Sequence, residues 1–111
     1  MPGTIKRTFG PVAASATLTT NVYNNSSALI YDVLRHLHVD NKLAADSFTL
    51  YLGATGANAA GTELFFQYPV AAKGSYDWYC VLKLISTDFL VGGGATTLTE
   101  VFTGSGEQYV V

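Results

Sequence analysis

The chain has 111 residues, of which 49% are hydrophobic, 13% aromatic and 13% charged, so it is one domain long and carries about half the ~25% charge typical of soluble domains. This apolar content excludes a disordered tail, because there is enough buried surface to offset chain entropy. Six Lys and Arg against eight Asp and Glu leave a net charge of −2, which is no footprint for nucleic acid, and one cysteine, Cys80, excludes a disulfide framework or a multi-cysteine zinc site.

Residues 1–15 hold two prolines and two glycines with little periodicity, and are expected as an extended N-terminal arm ahead of a folded domain at 16–111. Lys6 and Arg7 imitate the basic start of a signal peptide, but the Ala/Ser/Thr-rich stretch after Pro11 lacks a Leu-rich apolar core. No apolar run approaches the ~20 residues that span a bilayer, so synthesis in the cytoplasm and no membrane partner are expected. Residues 28–40 (ALIYDVLRHLHVD) fit two patterns. Leu29, Ile30, Val33, Leu34 and Leu37 have helical spacing, with Ser26 or Ser27 as N-cap. As a strand, Leu29, Tyr31, Val33, Leu37 and Val39 share the core face and only Arg35 breaks the alternation. The β signals on both sides favour strand.

Residues 47–53 (SFTLYLG) form the clearest strand, with Phe48, Leu50 and Leu52 on one face and Thr49 and Tyr51 on the other. A small-residue loop is expected over 53–61. A strand follows at 62–70 (TELFFQYPV), where Pro69 marks an end or a sheet edge. After a turn at 73–75, residues 76–85 (YDWYCVLKLI) alternate Trp78, Cys80, Leu82 and Leu84 against Asp77, Tyr79, Val81 and Lys83. A short strand at 89–91 precedes Gly92–Gly94, read as a loop. Residues 96–103 alternate again, Gly104-Ser105-Gly106 reads as a turn, and 107–111 adds a strand or extends the last one. Short strands with turn signals at these intervals read as an all-β chain: a single antiparallel β-sandwich, jelly-roll or immunoglobulin-like, of about eight strands.

Little in this pattern points to chemistry. His36 and His38 place two imidazoles on one side of a strand, and Asp32 and Asp40 have the same parity. That set is a weak candidate for zinc or nickel. Without a compact third ligand in the sequence, the polar outward face of a half-buried strand is the leading reading. Cys80 sits mid-strand beside Trp78 and Leu82, where an inert thiol is the default. Gly104–Gly106 lacks the G-x-S-x-G nucleophile pattern, and neither glycine-rich segment ends in Gly-Lys-Ser/Thr. No catalytic residue and no cofactor are therefore expected. Seven Tyr, six Phe and Trp78 are the abundant resource. Tyr76 and Tyr79 are candidates for a protein interface or a sugar platform, while Trp78 is expected in the core.

A domain of this length hides only ~60–70% of its chain surface. So apolar a composition leaves side chains outside, which marks a subunit interface. A homo-oligomer, a trimer above all, is expected, with Ile5, Lys6, Arg7 and Phe9 of the arm as partner contacts.

The order R-H-x-H-V-x-N (35–41), F-T-L-x-L-G-A (48–54), A-A-G-T-E-L-F-F (59–66), Y-P-V-A-A (68–72) and Y-D-W-Y (76–79), then a glycine-rich turn, resembles small structural proteins of tailed phages that infect actinobacteria. The resemblance spans roughly 20–111. It implies a jelly-roll or immunoglobulin-like component of the virion, in head decoration or a minor tail role, and it carries no catalytic residues. A capsid decoration protein bound to the major capsid protein or another virion protein is the leading expectation. A neck or minor tail protein is the alternative, and a carbohydrate-binding module the second alternative.

Overall fold

The computed structural model describes residues 3–53, 58, 61–96 and 99–111. Most of the loop expected over 53–61, with Ala54, Ala59 and Ala60 of the motifs above, lies outside the described residues, as do Met1, Pro2, Thr97 and Leu98. Among the described residues there is no helix. Eight strands follow one another: β1 (Thr4–Ala13), β2 (Asn21–Tyr23), β3 (Ile30–Asn41), β4 (Asp46–Gly53), β5 (Glu63–Val70), β6 (Ser75–Leu84), β7 (Phe89–Gly94) and β8 (Glu100–Val110).

They form two four-stranded antiparallel sheets, β1-β8-β3-β6 and β2-β7-β4-β5. β1 pairs with β8, β2 with β7, β3 with β6 and β4 with β5. The chain is thus one long hairpin, folded back at β4–β5 and wound so that every other connection crosses between sheets. This is the jelly-roll wrap of two packed sheets. An immunoglobulin sandwich would keep its first two strands in one sheet. Between the sheets lie Phe9, Leu34, Leu37, Val39, Phe48, Leu50, Val70, Leu84, Leu90 and Phe102, all buried.

The strands at 47–53, 62–70 and 76–85 appear as β4, β5 and β6 within one residue at each end. β5 is the edge strand that Pro69 requires, since a proline has no amide to give to a central ladder. The segment 28–40 resolves as strand from Ile30 onward, after a turn at Ala28 and Leu29, and 107–110 extend β8.

Three expectations are corrected. Within the arm expected over 1–15, Thr4–Ala13 are not in front of the sandwich but form its edge strand, paired with β8 from Thr4↔Gln108 to Ala13↔Val101. The register shifts between Arg7 and Phe9 and again before Val12. These bulges break the period-two alternation, which is why the sequence there shows none. The glycine segments 92–94 and 104–106 are not loops; they lie inside β7 and β8. A Cβ at Gly106 would sit 1.9 Å from the Val33 carbonyl oxygen, and one at Gly93 1.9 Å from that of Ser15. Glycine is there for close backbone approach. Finally, β3 carries a bulge at Arg35, where its register shifts against both β6 and β8. Asp32 and Leu34 face inward before it, and Leu37, Val39 and Asn41 after it. Tyr31 and Val33 consequently lie on the outer face, and Leu29 is exposed.

Candidate interaction surface

The outer face of the β1-β8-β3-β6 sheet follows from these registers. One row across the four strands reads Ile5, Glu107, Val33, Lys83, and the next reads Arg7, Ser105, His36, Tyr79. Thr103, His38 and Asp77 make a third. Ile5 is 87% exposed on one edge strand, and Tyr79 and Val81 are 76% and 74% exposed on the other. Between them, Arg35 pairs with Glu107 at 3.4 Å, Tyr31 stacks on Tyr109 at 5.1 Å, and Lys83 Nζ lies 4.5 Å over the Tyr31 ring. The Tyr109 hydroxyl donates to Glu107, which raises the phenol above its usual range.

The bulge at Arg35 also decides which polar groups meet. It turns Asp32 inward, so Asp32 does not share a face with His36 and His38. Their partner comes from β6, where Asp77 stands opposite His38. One oxygen, Asp77 Oδ1, accepts from His36 Nε2 at 2.8 Å and from His38 Nδ1 at 2.6 Å. The hydrogen bonds from His38 and then His36 hold the Asp77 carboxyl below the usual carboxylate range. The Tyr79 ring stacks on His36, with centroids 4.6 Å apart and planes 10° from parallel. Sequence reasoning missed Asp77 because it lies far along the chain from both histidines, and only the β3–β6 register joins them.

The expected partner contacts divide. Ile5, Arg7 and Tyr79 are exposed on this outer face. Phe9 is core, 8% exposed and stacked on Tyr23 at 5.5 Å. Lys6 points inward, its Nζ 3.5 Å from Asp32. Asp32, wholly buried, also accepts from the Tyr23 hydroxyl at 2.5 Å and the Gln108 amide at 3.3 Å. Burial, and then Asp32, push the Tyr23 phenol well above its usual range. Tyr76 faces the sandwich interior among Tyr68, Phe65 and Trp78, its ring 4.5 Å from that of Tyr68. Tyr76 and Tyr79 therefore occupy opposite faces of β6 and do not form one platform. Trp78 and Cys80 pack against the core on the Tyr76 side. The Cys80 thiol donates to the Leu34 carbonyl at 3.4 Å, and burial pushes its pKa up. A thiol so placed is protonated at neutral pH, across the sheet from both histidines.

Two surface depressions, about 240 Å³ beside Ile5, Arg35 and His36 and about 250 Å³ beside Leu18, Thr49 and Gln67, are smaller than the ~300–1,000 Å³ usual for small-molecule sites. The geometry suits contact over a face better than enclosure of a ligand. No protein-family model, curated protein or solved structure matches the chain.

Proposed function

We propose that this chain is a structural protein of a phage virion, a decoration protein that assembles with copies of itself, as a trimer, on the head shell and reinforces it. The observation that carries the reading is the exposure of Ile5, Tyr79 and Val81 on the two edge strands of one sheet. Apolar groups on opposite edges suit head-to-tail contacts, which form a ring when the rotation between copies closes. The jelly roll supports it by analogy of fold, since viral capsid domains are built this way. So does the low charge content, 13%. In this reading β1 serves through its exposed Ile5 and Arg7 and not as a free arm.

Ring closure fits a collar at the neck or tail equally well, so copy number decides between the two places. Light scattering on the purified chain is expected to give three times the 11.8 kDa chain mass. Quantitative protein gels of particles are expected to give copies in proportion to the capsid protein. A few copies at a single vertex would move the protein to the neck or tail. A monomer at every concentration would overturn self-assembly.

A further inference from the structure

We propose that His36, His38 and Asp77 form a divalent transition-metal site on the outer face of the β1-β8-β3-β6 sheet, with Zn²⁺ as its ion. Their ligand atoms all lie within 4.8 Å of one another. A tetrahedral ion with bonds of about 2.0–2.2 Å needs its ligands about 3.3 Å apart. The two nitrogens stand 2.8 and 2.6 Å from Asp77 Oδ1 and up to 4.8 Å from each other, so to admit the ion the two rings must turn towards each other and the carboxylate must withdraw by roughly half an ångström. It has room to do so, because its side chain is 40% exposed on an edge strand.

The backbone beneath the histidines is held firmly. β3 is paired on both sides, by β8 and β6, and a site on rigid strands keeps its geometry better than one on a loop. Tyr79 stacks flat on His36 and covers one face of that ring. Two imidazoles and one carboxylate are a borderline donor set, suited to Zn²⁺, Co²⁺ or Ni²⁺. Ca²⁺ wants six or more oxygens and Mg²⁺ an octahedron of them. In the metal-free chain the same two nitrogens each present a hydrogen to one oxygen. Binding replaces both hydrogens with one cation, and each neutral ring keeps its proton on the nitrogen that now faces away. A fourth position is left to water.

The test titrates the full chain with Co²⁺ at neutral pH, follows its visible absorption, and then competes with Zn²⁺. One Co²⁺ per chain is expected, displaced by Zn²⁺ and not by Mg²⁺ or Ca²⁺. His36→Ala and His38→Ala should each weaken binding at least tenfold, and Cys80→Ser should leave it unchanged. The chain has two histidines, so imidazole NMR of the unmodified protein gives a second reading that survives a poorly folding variant. Both ring signals should shift together with one equivalent of Zn²⁺. The site is refuted by unmoved imidazole signals, by full binding in the double histidine variant, or by loss of binding in Cys80→Ser.

Discussion

Glu100 is wholly buried, and both its carboxylate oxygens lack a hydrogen-bond partner among the described residues. Burial, with a smaller contribution from the Asp46 charge, raises its pKa from the ordinary 4.5 to about 7. The unfolded chain releases this proton near 4.5 and the folded chain only near 7, so the folded state holds more protons in that window. Stability is then full below 4.5 and falls as pH rises to 7, by up to about 3 kcal/mol. Glu100→Gln is expected to match the native chain near pH 4 and to melt several degrees higher at pH 8. Parallel melting curves across that range would contradict it. Asp32 is the opposite case, a buried carboxylate with Tyr23, Gln108 and Lys6 around it. Asp32→Ala strands those groups and should cost about 3 kcal/mol in urea unfolding, with Asp32→Asn costing less because it keeps an acceptor. A variant within half that cost would mean that water replaces the carboxylate.

At the scale of elements, β1 has the sharpest consequence. Deleting residues 3–13 removes Phe9 from the core and bares the β8 edge, so the expected result is loss of the cooperative thermal transition, seen by circular dichroism. A deletion that still melts cooperatively would return these residues to the role of a dispensable arm. The strands legible in the sequence were those with unbroken alternation. Phe48, Leu50 and Leu52 needed no partner to be assigned a face, and Pro69 put β5 at an edge. β2 has only three residues, too short for any period to show. The glycines of β7 and β8 were read as turns because the usual reason for glycine is a turn. Here the reason is the neighbouring backbone, which a single sequence does not contain. The Arg35 bulge matters most for the site. A one-residue insertion reverses every later side chain, so the parity that linked Asp32 to His36 was false. The true partner, Asp77, depended on a register between strands that the sequence leaves open.

At the scale of the whole molecule, the two sheets make a slab of 44 × 26 × 19 Å with exposed apolar side chains on several parts of its surface, Leu43, Phe66 and Ile85 among them. Ile5 and Val81 sit on opposite edge strands of one sheet, while Leu29, Val110 and Val111 gather where β3 and β8 meet at one end, with Val111 bonded to Leu29. These are two distinct surfaces, and charge placed on one tests which holds an assembly together. Ile5 is 87% and Val81 74% exposed, so Ile5→Lys and Val81→Lys change the fold's own packing little, and surface changes of this kind usually stay within about 0.5 kcal/mol. In an oligomer built through the edges each introduces an unpaired charge into a desolvated contact. Light scattering should then fall from the trimer mass to that of the monomer for either variant, with the melting curve of the isolated chain nearly unmoved. If both variants keep the native mass and Val110→Lys dissociates it, the contact runs through the strand ends, and Ile5 and Val81 are left for a different protein of the particle.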